Sequence, residues 1–239
     1  MKDLTDRQKN ILEIVIREHI DSAAPISSKF IEEEYELGFS PATIRGELFE
    51  LVEKGYLYQP HTSSGRVPTD KGYRFFVDLL SEGEAKYLES QLGKEIKKMR
   101  REVEDKVQFM REFTRYLAQT SSTLTVSYFP KDQLILKEGW GDVLRDPDFT
   151  DIEKVHDFMG LVNDFEENID SFLLEENSGT TRVYIGSESP FSKKDNFSVL
   201  ISPCKIMKGK GLLAIMGPKR MPYEKNIKLV ESIIKILKE

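Results

Sequence analysis

The sequence predicts an α+β chain in three parts: an N-terminal winged helix-turn-helix, a long charged helix, and a C-terminal α+β domain with an antiparallel sheet. Three observations carry this. Through the first eighty residues apolar positions recur every three or four residues, broken by strong turn signals. Residues 81–120 are dominated by charge and contain no proline. Residues 121–239 mix β-type runs with two helical segments. The expected domains are therefore 1–80, 81–120 and 121–239.

The first helix starts near Thr5, which with Gln8 has the form of a capping box. Ile11, Leu12, Val15, Ile16 and Ile20 supply its buried stripe. Pro25 ends the next connection, and Ser27 or Ser28 caps a short second helix carrying Phe30, Ile31 and Tyr35. Leu37, Gly38 and Phe39 make a tight turn. Ser40 before Pro41 is a strong helix start, with serine at the N-cap and proline at the first helical position. Ile44, Leu48, Leu51 and Val52 form the stripe of this third helix, and Gly55 stops it. Residues 56–60 and 66–68 read as short strands around a turn cluster at 61–65. Thr69 caps a fourth helix that runs to about Leu80.

Residues 84–119 read as one long helix. Leu92, Ile96, Met99, Val103, Val107, Met110, Phe113 and Leu117 form a coiled-coil-like seam along it. The seam either pairs two chains, with the first six residues as the contact, or packs on its own domain. Beyond it, 124–129 alternates as a strand, 151–174 is helical, and strands are expected at 181–185, 197–201 and 211–216. Gly209, Lys210 and Gly211 read as a hairpin turn between 205–207 and 212–216, and 223–237 as a closing helix. Trp140 reads as a core anchor and Cys204 as a partly buried strand residue.

Composition narrows the classes. With 239 residues, the chain is long enough for one large or two modest domains. A single cysteine excludes an intrachain disulfide. The polar start MKDLTDRQKN is no signal peptide, and no stretch approaches the ~18 apolar residues of a membrane span. A soluble, cytoplasmic protein with no membrane partner is expected. His19, His61 and His156 lie far apart, without metal-ligand spacing. Asp142, Asp146, Asp148 and Asp151 resemble a calcium loop only loosely, with Pro147 interrupting. No metal and no cofactor are expected, and no nucleophile–base pair points to an enzyme.

The N-terminal pattern suits double-stranded DNA. A major groove admits one α-helix, whose N-terminal residues reach the base edges. Here these are Ser40, Thr43 and Arg45, off the buried stripe. Ser27, Ser28 and Lys29 open the second helix, where free N–H groups favour phosphate. His61, Thr62, Ser63, Ser64 and Arg66 furnish the wing, and Lys71 follows it.

The residues from Pro25 to Lys29, from Ser40 to Arg45 and from Gly55 through Arg66 to Phe75 closely resemble the HrcA family of heat-inducible transcription repressors. Glu138-Gly139, residues 182–186, Gly217-Pro218, Arg220-Met221 and Tyr223 agree with it. The resemblance implies a repressor of chaperone genes, binding as a homodimer to an inverted-repeat operator called CIRCE and released on heat stress. It also implies a GAF-like C-terminal domain and a GroE-type chaperonin as partner. Two departures stand out. Gly46 replaces the family's usual asparagine. Between Phe129 and Leu134 the family carries half of the GAF-like domain and an inserted dimerisation domain, so the domain here is expected to be reduced. The alternative function is a winged-helix regulator switched by a small ligand in the GAF-like domain.

The net charge of −6 speaks at first against nucleic acid. Residues 1–80 hold 10 Lys+Arg against 14 Asp+Glu. The acid, however, gathers at Glu32–Glu36 and at Glu47, Glu50 and Glu53, away from the start of the third helix. Weak non-specific binding follows, with specificity left to a few contacts.

Overall fold

A computed structural model gives the structure of residues 4–80, 86–175, 180–191, 194–206 and 209–238. The chain forms two units, divided between residues 81 and 82.

The first unit contains α1 (Asp6–Ser22), α2 (Ser28–Glu34), α3 (Pro41–Glu53), β1 (Leu57–Tyr58), β2 (Val67–Pro68) and α4 (Asp70–Leu79). Local chemistry sets these boundaries. Thr5 and Gln8 close a reciprocal capping box at α1. Ser27, Ser40 and Thr69 cap α2, α3 and α4, each accepting a backbone N–H three residues on. Ile11, Leu12, Val15 and Ile16 of α1 meet Ile31, Ile44, Leu48 and Leu51 in a core closed by Tyr73 and Phe76 of α4. Polar ties reinforce it: Arg7 pairs with Glu47 at 2.6 Å, and the Tyr35 hydroxyl donates to Glu18. That bond to a carboxylate, ahead of burial, pushes the Tyr35 phenol up to about 12.

The second unit contains α5 (Lys86–Glu102), α6 (Lys106–Ser121), β3 (Leu124–Phe129), β4 (Leu134–Glu138), α7 (Trp140–Val143), α8 (Ile152–Glu175), β5 (Arg182–Ile185), β6 (Phe197–Ile206), β7 (Gly209–Pro218) and α9 (Tyr223–Lys238). The strands form one antiparallel sheet in the order β4-β3-β7-β6-β5. Alternation along the strands gives the sheet two different faces. Leu124, Val126 and Tyr128, Phe197, Val199 and Ile201, and Leu212, Ala214 and Met216 pack with Phe158, Leu161, Val162, Phe165 and Ile169 of α8. Phe149 stacks on Phe197 at 5.9 Å and meets Phe158 edge-on at 5.0 Å. The intervening residues include Thr125, Ser127, Ser198 and Ser202, all buried. α6 packs on β3 and α9 on β6 over this second face, and Tyr223 of α9 accepts from Ser198 at 2.7 Å while donating to the Lys219 carbonyl at 2.5 Å.

The structure corrects several expectations. The charged segment is not one helix. Asp105 takes the Gln108 N–H at 2.7 Å and starts α6 anew, because a short acidic side chain competes well for free helix N–H groups. Residues 84 and 85 of the expected helix lie outside the described residues. Of the two readings of the apolar seam, packing on its own unit accounts for Leu92, Ile96 and Met110. Leu92, Ile96 and Met110 are about 1% exposed, and α5 packs on α6 and α9 of its own unit. Met99 and Val103 are half-buried and Val107 is exposed. Gly209, Lys210 and Gly211 are not a turn but the start of β7, with Ile206 opposite Gly209; Met207 lies outside the described residues. β4 is a strand that the alternation did not reveal. It joins β3 through residues 130–133, with Phe129 opposite Leu134.

Asp146 and Asp148 hold no calcium-type cluster among the described residues. Instead both carboxylates grip Arg220, Asp148 at 2.8 Å from Nε. This lock ties the segment after α7 to the turn between β7 and α9. Cys204 is buried in β6, and loss of hydration pushes its thiol up to about 12. Arg220 is 9% exposed against 25% and 35% for the two aspartates. Arg220→Met should therefore lower the unfolding free energy by about 2–3 kcal/mol, less than the ~3–5 kcal/mol of a fully buried pair because both aspartates are partly exposed, as read from urea denaturation.

Candidate nucleic-acid interface

The wing is built from backbone outward. β1 and β2 pair with Leu57 opposite Pro68 and Tyr58 opposite Val67. A third extended segment joins them: Ile26 N–H donates to the Arg66 carbonyl at 2.9 Å, and Arg66 N–H to the Ile26 carbonyl at 2.7 Å. Ser27 and Ser28 thus sit beside the wing. Gly65 permits this approach, since any Cβ there would strike the Ile26 backbone.

Side chains then fix the wing tip. The Gln59 amide donates to the Thr62 and Ser64 carbonyls at 2.8 and 2.9 Å. Ser64 takes the His61 N–H at 2.9 Å and donates to the His61 carbonyl at 2.7 Å. His61, Thr62 and Ser63 are left exposed. Arg66 is half-buried, and its Nη1 donates to the Ser64 carbonyl at 3.3 Å, so part of its guanidinium supports the loop.

On α3, Ser40 caps the Thr43 N–H at 3.2 Å, and the two hydroxyls meet at 2.9 Å. Arg45 is exposed, about 100° around the helix from Ile44 at ~3.6 residues per turn and off the buried stripe. Lys29 is exposed and reaches Glu33 at 3.4 Å. Lys71 is exposed and is also tied within the unit. Its ammonium donates to the Lys54 carbonyl at 2.8 Å and lies 4.2 Å from the Tyr56 ring centre. It serves as a C-terminal tie for α3.

Sequence reasoning missed two parts of the site. Phe49 is 57% exposed and, with Ala42, Arg45 and Gly46, lines the outer face of α3. Its signal was an apolar residue off the Ile44–Leu48–Leu51 stripe. Gln59 was read only as a strand residue, although its amide organises the wing tip. A Cβ on Gly46 would meet nothing within 4 Å, so this surface is open for a side chain.

Comparison with known proteins assigns the chain. A family model described as the HrcA protein C-terminal domain matches residues 74–227. The chain belongs to the HrcA family. A model of the LexA DNA-binding domain matches residues 1–65 of this HrcA chain. Among curated relatives, each named "Heat-inducible transcription repressor HrcA", that of Chlorobium chlorochromatii is 56% identical over 79 residues, 33% of this chain and 23% of its own length. That of Desulforudis audaxviator is 37% identical over 193 residues, 78% of this chain and 55% of its own length. That of Thermodesulfovibrio yellowstonii is 25% identical over 337 aligned positions, covering 98% of this chain and 97% of the relative. The first two matches thus span well under two thirds of those relatives. The third runs across 337 positions against 239 residues here, so that relative carries a long stretch with no counterpart in this HrcA chain. A crystal structure of a hypothetical protein shares the fold, with a TM-score of 0.74 at 20% identity over 98% of this chain and 97% of that one.

Gly65→Val should push the wing from Ile26 and break the bridge. Hydrogen exchange should then speed up at the Ile26 and Arg66 amides while the α1 core amides stay protected.

Proposed function

We propose that this chain is a transcription repressor that binds an inverted-repeat, CIRCE-type operator as a homodimer, represses chaperone genes and is released on heat stress. The observation that carries this reading is the exposed face of α3 beside a glycine-locked wing, in a chain of the HrcA family. The relatives' printed name, heat-inducible transcription repressor, supports the output. The partners are double-stranded DNA and a GroE-type chaperonin, and the place of action is the cytoplasm. Among the described residues no helix is long and apolar enough to cross a membrane. The chain acts by binding, not by catalysis.

α3 lies in the major groove. Arg45 offers a planar fork suited to guanine, and Phe49 offers an apolar surface suited to a thymine methyl. Ser27, Ser28, Lys29, Ser40 and Thr43 hold the backbone, and the tip residues His61, Thr62 and Ser63 follow the strand beside the groove. Arg66 contributes charge from the wing. Two-fold symmetry of the operator requires two copies of α3. The contact between copies lies outside Leu92, Ile96 and Met110, which are already used within the unit.

Arg45→Ala should weaken operator binding by about 1–3 kcal/mol, the scale of one good base contact, with a much smaller loss on scrambled DNA. Phe49→Ala should act in the same direction without lowering stability. Equal losses on both DNAs would reduce Arg45 to a phosphate contact. Light scattering at micromolar protein with operator present should give the mass of two chains; a one-chain mass would remove the dimer.

A further inference from the structure

We propose that the exposed face of α5 is a second DNA-contacting surface, which grips phosphates flanking the inverted repeat through Lys94, Lys97, Lys98 and Arg101. This rests on reading the chain as a DNA-binding repressor. α5 buries Leu92 and Ile96 at about 1% exposure each. The four cations are exposed. At ~3.6 residues per turn they fall together on the side away from that apolar pair.

The absence of an ion pair among the described residues distinguishes them. In the same unit Lys106 pairs with Asp132 at 2.6 Å, Arg115 with Glu112 at 3.2 Å, Lys228 with Glu224 at 2.7 Å and Lys235 with Glu89 at 3.0 Å. None of Lys94, Lys97, Lys98 and Arg101 forms an ion pair with the described residues. Residues 94–101 hold five cations and one acid, Glu95, in a chain whose net charge is −6. The first eighty residues carry four more acids than bases, so the DNA-binding unit is poor in phosphate-neutralising charge. In sequence only residues 81–93 separate that unit from Lys94. From Lys94 to Arg101 the helix rises about 10 Å, enough to face about three phosphates of one strand at ~3.4 Å per step. Phosphate contacts read no sequence, so such a stripe adds affinity and orientation rather than specificity.

The test uses the full chain, a K94Q/K97Q/K98Q/R101Q variant and a charge-keeping K94R/K97R/K98R variant. Each is titrated across a range of salt on two duplexes, one ending at the inverted repeat and one extended by about ten base pairs, one helical turn, on each side. On the extended duplex the glutamine variant should lose about 0.9 from the slope of log affinity against log salt for each phosphate contact removed. On the short duplex its slope should match the wild type, and the arginine variant should behave as wild type on both. An unchanged slope on the extended duplex overturns the proposal, as does an equal fall on both duplexes. Loss of binding to polyglutamate with DNA binding intact overturns it in favour of an acidic protein partner. If the wild-type chain binds the repeat no tighter than a scrambled sequence, the repressor reading fails instead, and the slope difference between wild type and glutamine variant still reports on the stripe.

Discussion

Two backbone hydrogen bonds between Ile26 and Arg66 hold the wing of the first unit in place. They turn a two-stranded ribbon into a three-stranded one and bind the wing to the start of α2. A hairpin this short is marginal in water by itself. Here it is stabilised by the buried side chains of Ile26, Leu57 and Val67 and by the absence of a Cβ at Gly65. The tip residues then need only Gln59 and Ser64 to be set in place. The geometry offered to a ligand on this side of the unit depends on that one close approach of two backbones.

The N-terminal unit was largely legible because its signals are local. Thr5 with Gln8, Ser40 with Pro41, and Thr69 each act within three residues, so the sequence shows cap and helix start together. What was missed depended on distance or on ambiguity. The seam spacing of Met99, Val103 and Val107 continues through the break at Asp105, so periodicity alone read one helix where two exist. The tie from Lys71 to the Lys54 carbonyl went unread because no local signal shows a carbonyl so far back in the sequence. Lys205 and Lys210 hid the length of β6 and β7, since paired polar residues at strand ends do not alternate with apolar ones. Phe49 went unread because an apolar residue on a helix is ordinarily assigned to a core.

Charge is organised with more economy than a total of −6 suggests. Glu47 is answered by Arg7, and Asp146 and Asp148 by Arg220. Many acids thus neutralise cations inside their own unit, while some exposed cations form no ion pair among the described residues. Arg45 on α3 and the stripe on α5 are among them. Weak overall attraction to a polyanion is compatible with a specific site, because contacts that orient and contacts that discriminate are carried by different residues.

The burial of Cys204 has a practical side. It is the chain's one cysteine, and its thiol lies in the middle layer of the second unit, held in the protonated form. For surface labelling the protein behaves as though it had no cysteine. A single new thiol at an exposed wing position such as Ser63 would accept a spin label or fluorophore selectively, with the native residue left in place. Movement of the wing can then be followed in the otherwise unaltered chain.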